Sequence, residues 1–461
     1  MKKSIFKTLA VFIILTIIST CFIGCESENS DVDVFTMWTN SGHTKQFMDE
    51  AVAEFNNTIG KENSMKIEYT VYGGDYAQSL EMAIANGKAP DFFNVQGSMQ
   101  TQVDKGNVFP ISDLPDMDEF LSKYEGYLVE NEDVINDKVY KVPMQLTTFG
   151  FIYNKDLFKE AGLVDETGEA VPPKTWDEVV EYAKKLTNPS KKVYGIALPI
   201  KWGAFWGIEM GKSALSSYGR HEYDVKSDKY DFGIYKDIME YLLQIKKDGS
   251  YFPGAESLDN DQARAQFAEG RVAMKFAASW DVGVLNDQFP AQCDWGVAPL
   301  PVLKNGEREY YQPGSYSSFV DVSSSVKDKD LKKVAIIYKW INSDEMINGM
   351  YEEGLVLPWN SNIIKDKENI SLKQGWSEFA NLSSISKPYV GWVPLKLEGQ
   401  TYAEYFDKVW HGELEIDEAI QKANDTYNEA YRRGIKNNDF DFEKYKSIGA
   451  EAFNMKYNGA E

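Results

Sequence analysis

KVYKVPMQLTTFGFIYNKDLFKEAGL (residues 138–163) and PPKTWDEVVEYAKKL (residues 172–186) together decide how this chain is organised. In the second block Pro172 and Pro173 hold the entering chain extended, so a helix starts only after them. Thr175 is a good N-cap, and Glu178 three residues on completes a capping box. Trp176, Val179, Val180, Ala183 and Leu186 follow at helical spacing and form one apolar stripe. This stretch reads as scaffold, with Trp176 in a core. In the first block PMQLTTFGFIYN separates two runs of alternating strand and helix signals, so it reads as a crossover from a first lobe into a second.

On the amino side of the crossover, Asp33 to Trp38 is a short apolar strand. A helix follows from about Thr44 to Asn57, with Phe47, Ala51 and Phe55 on one stripe. Met65 to Val71 alternates as a strand should, Tyr76 to Asn86 is helical, and Asp91 to Val95 makes a third strand. This βαβαβ rhythm implies an open, largely parallel sheet with ligands at the carboxyl ends of its strands. On the carboxyl side, strands are expected at Tyr194 to Pro199, Arg271 to Phe276 and Trp295 to Leu300. Helices are expected at Lys332 to Asn342 and Asp417 to Arg433.

The chain opens MKKSIFKTLAVFIILTIISTCFIGC, with lysines before an apolar run from Leu9 to Ile18. That run is short for a membrane span and has the flanks of an export signal. Phe22-Ile23-Gly24-Cys25 resembles a bacterial lipobox, with Cys25 as the lipidated residue. Cys21 is a rival site, and an ordinary cleaved signal peptide is the alternative. Residues 25–31 then form a polar tether. Removing residues 1–24, with Lys2, Lys3 and Lys7, leaves 437 of 461 residues and takes the formal charge from −22 to −25. That length calls for two lobes or domains. Such acidity argues against nucleic acid, whose phosphates it would repel. Cys293 is the single cysteine beyond the anchor region, so no disulfide framework forms, and it reads as a small buried hydrophobe.

VFTMWTNSG (34–42), ANGKAPDFF (85–93), the two opening blocks, FAEGRVAMKFAASW (267–280), WGVAPLP (295–301) and HGELEIDEAI (411–420) occur in order. In that order they resemble the bacterial extracellular solute-binding proteins of the sugar-binding type, the relatives of maltose-binding protein. The resemblance implies a periplasmic-binding-protein-like α/β fold, two α/β lobes joined by a hinge with a ligand cleft between them. We expect lobe 1 to take residues 32–145 and 315–350, and lobe 2 residues 146–314 and 351–461. The function implied is that of the lipid-anchored, extracellular substrate-binding component of an ABC importer. It would be a monomer at the outer face of the cell membrane, without cofactor, metal or enzymatic activity. It would close on a carbohydrate, an oligosaccharide, and present it to a membrane permease. Asp91 in APDFF reads as a strand-start residue.

A sugar offers apolar C–H faces and a ring of hydroxyls, which aromatic platforms and planar polar side chains meet. The chain holds 11 Trp, 27 Tyr and 25 Phe, so position must select among them. Trp38, Asn40 and Ser41 lie where the first strand runs out, a loop the family uses for polar contacts; loop capping and core packing are the alternatives. Gln96 and Ser98 follow the third strand in a similar position. Gln145 and Thr147 fall in the crossover near a polar contact of relatives, some of which carry an acidic residue at the Thr147 position. KWGAFWG (201–207) sets Trp202 and Trp206 beside glycines with no helical or strand pattern, which favours stacking on ligand. Trp280 is the foremost candidate, since relatives stack an aromatic on sugar there. Asp281 beside it would accept hydroxyl hydrogen bonds or cap the next helix. PYVGWVPLKLEG adds Trp392, with Tyr389.

A glycoside-active enzyme is the rival from another class. With 71 Asp plus Glu a carboxylate pair arises by chance, but no acid–base motif stands out. GxSxG, HExxH, P-loop and GxGxxG motifs are absent. Iron is a rival ligand through Tyr310-Tyr311, yet His43, His221 and His411 lack ligand spacing. A polyamine would suit acidic charge and aromatics, although solvated acidic faces explain that charge without a ligand.

Overall fold

A computed structural model describes residues 32–439 apart from 126, 130–131, 203–220, 225, 304–307, 365–372 and 389–394. Two mixed α/β lobes each carry a four-stranded sheet, and a third four-stranded sheet lies where the chain passes between them.

In the first sheet Asp33–Thr39 is flanked on both sides by parallel strands, Met65–Val71 and Phe92–Phe93. Asp321–Val322 closes the edge antiparallel to Phe92–Phe93. The helices Lys45–Asn57 and Tyr76–Ala85 occupy the crossovers. Phe35, Met37, Ile67 and Phe92 from the strands pack with Phe55, Val334, Tyr338 and Ile347 from the helices. Asp91 is buried and acts locally: its carboxylate accepts the Thr36 N–H at 2.8 Å and pairs with Lys329 at 2.8 Å.

The second sheet runs Trp295–Ala298, Phe149–Asn154, Val272–Ala278, Tyr194–Ala197. A continued parallel rhythm is the sequence-based expectation, and this sheet departs from it. Phe149–Asn154 is antiparallel to both of its neighbours, and only Val272–Ala278 and Tyr194–Ala197 are parallel. Trp295–Ala298 and Val272–Ala278 run the same way, and Phe149–Asn154, arriving directly from the crossover strand Gln145–Thr147, is inserted between them and opposes both.

The helix Trp176–Leu186 starts as its residues dictate. Thr175 and Glu178 form the reciprocal capping box, with both N–H···O distances 3.2 Å. Trp176 is fully buried against Phe276, with ring centroids 5.4 Å apart. The helix lies so close to the strand Tyr194–Ala197 that a Cβ at Gly195 would fall 2.0 Å from the Ala183 carbonyl oxygen. The Thr187 hydroxyl links the two, donating to the Ala183 carbonyl at 2.7 Å and accepting the Gly195 N–H at 2.9 Å.

The third sheet, in the order Leu357–Pro358, Gln145–Thr147, Gln312–Ser317, Ser386–Pro388, carries the chain between lobes. Residues before Gln145 and those from Phe319 to Ile363 supply the first core, while Phe151 to Leu303 and Tyr402 to Tyr431 supply the second. Among the described residues no helix is long and apolar enough to cross a membrane.

The contact at Gly195 gives a direct test. Gly195→Ala should destabilise the protein by about 3 kcal/mol, because the backbone it strikes cannot move aside cheaply. Thr175→Ala, which removes only a cap, should cost about 1 kcal/mol. Thermal melts of both variants check the ranking.

Candidate functional site

The carboxyl ends of the first-lobe strands come together as an aromatic and amide edge. Trp38 and Phe93 are register partners, so the loops that follow their strands are neighbours. Trp38 is half-buried and packs against Tyr72, centroids 4.7 Å apart, and Tyr72 lies 6.0 Å from Tyr76. The Tyr76 hydroxyl donates to the Asn94 carbonyl and accepts the Asn94 N–H, both at 2.8 Å, with the Trp38 carbonyl 3.3 Å away. It therefore pins the ends of two strands. Asn40 is exposed and its carbonyl accepts the Gly42 N–H at 3.0 Å, while Ser41 is half-buried and its carbonyl accepts the Thr44 hydroxyl at 3.0 Å. The Gln96 amide bonds the Asn94 side chain at 3.1 Å. Ser98 is exposed and caps the helix Met99–Asp104. Behind this loop buried Asp321 accepts the Val95 N–H at 3.0 Å and the Ser318 hydroxyl at 2.8 Å. Burial pushes the Asp321 carboxyl above its ordinary range, with Lys141 opposing.

The crossover strands carry a polar face. Thr147 pairs with Ser315 and Gln145 with Ser317, and partners across an antiparallel ladder share a face. The Gln145 amide donates to the Ser317 hydroxyl at 3.0 Å. Thr147 is buried, whereas Gln145, Ser315 and Ser317 keep access to solvent.

The second-lobe contribution is centred on Trp280. Every residue from Val272 to Leu285 is buried except Trp280, which is half-buried. Its ring meets Phe149 edge-on, with centroids 6.1 Å apart and planes at 90°. Because Ala278 and Phe149 are register partners, the crossover strand leads straight to this pair. Asp281, read from sequence as a hydroxyl acceptor or a helix cap, is buried and engaged with Arg264, with Lys275 at 3.8 Å and with the Ala278 N–H at 3.0 Å. Arg264 and Lys275 hold its carboxyl below the usual range against the opposing effect of burial.

The lobes also touch beside Trp280. A Cβ at Gly283 would lie 3.6 Å from the His43 Cβ, and one at Gly42 would lie 3.7 Å from the Gln288 amide nitrogen. A cavity of about 770 Å³ opens along this contact, lined by His43, Lys45, Glu50, Asp287, Gln288, Glu353 and Lys373 among others. It flanks the aromatic pair and does not include it. Its charges are largely paired, Lys45 with Asp49 and Lys373 with Asp287 at 2.8 Å, so we place the candidate site at the strand ends instead.

The structure thus groups Trp38, Asn40, Ser41, Gln96 and Ser98 at one edge, and Gln145 and Thr147 beside Phe149 and Trp280 at another. Trp202 ends the turn Ile200–Trp202, but its side chain, like Trp206, Tyr389, Trp392 and Cys25, lies outside the described residues. Tyr72, Phe149 and Ser317 enter the site without having been singled out in the sequence. The signal for Tyr72 is its place one residue past a strand, before Gly73-Gly74. Among the described residues no cluster of three or more His, Cys, Asp or Glu is gathered to hold a metal ion.

A family model described as bacterial extracellular solute-binding protein matches residues 40–345, well over half of the chain. A maltotriose-binding protein of Pyrococcus abyssi is 25% identical over 297 residues. That match covers 64% of this chain and only 60% of the Pyrococcus protein. An sn-glycerol-3-phosphate-binding periplasmic protein of Brucella melitensis is 25% identical over 333 residues, covering 69% of this chain and 72% of that one. Among solved structures, the maltose/maltodextrin-binding domain MalE of Bdellovibrio bacteriovorus bound to maltotriose superposes with a TM-score of 0.65 at 18% identity, over 87% of this chain and all of that one. At that identity the likeness is one of fold.

The interlobe contact at His43 has a pH signature. Burial first, and then the Arg264 guanidinium, lower its imidazole to about 4, with Asp281 opposing. A histidine kept neutral in the folded state contributes stability above its unfolded value near 6.5 that is lost as pH falls from there toward 4. Because His43 keeps some access to solvent, we expect a loss of about 2 kcal/mol over that window. His43→Gln should lose less over the same window, read as the difference between two sets of melts from pH 7.5 to 4. Equal slopes would refute the assignment.

Proposed function

This chain belongs to the bacterial extracellular solute-binding proteins, and on that premise we propose that it captures an oligosaccharide between its lobes. The observation that carries the reading is the half-buried Trp280, alone in an otherwise buried strand and turn and braced edge-on by Phe149. An aromatic face held in that way suits the apolar C–H face of a sugar ring. Trp38 and Tyr72 supply a second aromatic surface on the opposite lobe. Asn40, Ser41, Gln96 and Gln145 offer amides and hydroxyls for the sugar's hydroxyl ring, with Ser317 bonded to Gln145 and adding to that set. Thr147 and Asp281 act from beneath, as buried supports. Ser98, Trp202, Trp206 and Trp392 remain proposed contacts from the surrounding loops.

Ligand contacts made from both lobes stabilise the closed arrangement over the open one, which is the differential binding a receptor needs. We propose that the closed form is what an ABC permease reads, and that Cys25 carries a lipid holding the receptor at the outer face of the membrane. The reading is one of capture without catalysis. The relative named for maltotriose supports a neutral sugar. The relatives named for sn-glycerol 3-phosphate support a second reading, a small phosphorylated polyol. The residues proposed for contact are aromatic rings, amides and hydroxyls with no cation among them, a set that suits sugar faces and hydroxyls, so the sugar is favoured.

A thermal-shift panel of mono- and oligosaccharides, sn-glycerol 3-phosphate, ferric iron and a polyamine decides between them. A ligand at ~100 times its Kd adds about 2.7 kcal/mol, a shift of some degrees in Tm. We expect an oligosaccharide to give that shift and Trp280→Ala to weaken it about tenfold in Kd. A shift with the phosphate ester alone, or with iron or polyamine alone, would overturn the sugar assignment.

A further inference from the structure

We infer that Asp281 is a positioning residue, whose buried carboxylate, clamped between Arg264 and Lys275, fixes the turn that presents Trp280 to the ligand. This rests on the reading of Trp280 as the ligand platform. The turn spans the gap between the strand, which ends at Ala278, and the next helical turn, which starts at Asp281. Asp281 closes the gap by accepting the Ala278 N–H at 3.0 Å, and the Ser279 N–H is tied to the Thr148 carbonyl at 2.9 Å. Thr148 is anchored in turn, its hydroxyl donating to the Phe379 carbonyl at 2.9 Å. The Trp280 backbone is thereby fixed on both sides while its ring stays half-buried.

The two cations explain how a carboxylate can serve there. An ion in a dry interior costs several kcal/mol unless paired. Arg264 Nε engages one oxygen of Asp281, and the Lys275 ammonium stands 3.8 Å from the other. Lys275 is fully buried on a central strand and also donates to the Phe276 carbonyl at 2.8 Å. Arg264 has a second partner in Asp261, 2.6 Å away. Apolar side chains would fill this volume more cheaply, but they would not bond the Ala278 N–H or fix the direction of the turn. With 1% of its side chain exposed, Asp281 is closed to a sugar. Its influence on binding therefore passes through Trp280.

The test follows the Trp280 ring itself. In protein labelled with 5-fluorotryptophan, the 19F resonance lost in Trp280→Phe is that of residue 280. The double variant Asp281→Leu/Lys275→Met removes both the clamp and the acceptor for the Ala278 N–H yet leaves Arg264 its Asp261 partner, so no buried cation stands alone. Arg264→Gln is made in parallel in case the double variant does not fold. In a folded variant we expect the residue 280 resonance to shift or broaden while most others hold, and the saccharide Kd to rise about tenfold. A folded variant with that resonance unmoved would overturn the proposal whatever the sugar does. Intact saccharide binding in Trp280→Ala would instead remove the platform reading, and the resonance would still decide whether Asp281 sets the ring.

Discussion

The antiparallel ladder between Gln145–Thr147 and Gln312–Ser317 is the constraint on which the molecule depends. Passage between the cores runs through the sheet that this ladder centres, so the lobes are related by few backbone torsions. Each lobe can then remain internally close-packed while the angle between lobes varies, since neither core has to be disrupted. The same ladder carries Gln145 and Ser317 on one face, so the element that joins the lobes also offers polar groups where they meet. It hands the chain to Phe149 after a single residue, which joins the crossover directly to the aromatic pair.

Buried polarity in this protein is concentrated where geometry matters. Asp321 lies under the Gln96 loop, the Arg264–Asp281–Lys275 cluster under Trp280, and Tyr76 ties two strand ends. Each uses a directional bond where an apolar contact would leave freedom. The cost is a set of groups held away from their ordinary protonation behaviour, with burial lowering Lys275 to about 8 and His43 to about 4. Some of these buried charges, Asp281 and Lys275 among them, lie next to the proposed site, where a functional protein is expected to break local rules of burial.

Much of this was legible in the sequence, for reasons that differ by residue. The helix Trp176–Leu186 could be read because its signals are local: two prolines, a capping box and one apolar stripe. Trp280 and the two-lobed α/β fold were reachable through the ordered family motifs, not through composition. The direction of Phe149–Asn154 was not, because a strand's alternation carries no information about which way its neighbours run. Tyr72 is one of 27 tyrosines, and its place just past a strand gains meaning through its packing on Trp38. The role of Asp281 depends on Arg264, seventeen residues earlier on another helix, and no spacing rule joins a helix surface to a strand turn.

The way the first core is assembled has a further meaning for how the chain comes to be folded. Phe35 packs in one cluster with Val356 and Ile363, so that core closes only when segments some three hundred residues apart are both present. The intervening stretch builds the other lobe, whose own core waits for Tyr427 and Tyr431 near the far end. Neither half can finish early. Completing either core therefore requires closing long loops, the kind of contact that slows folding.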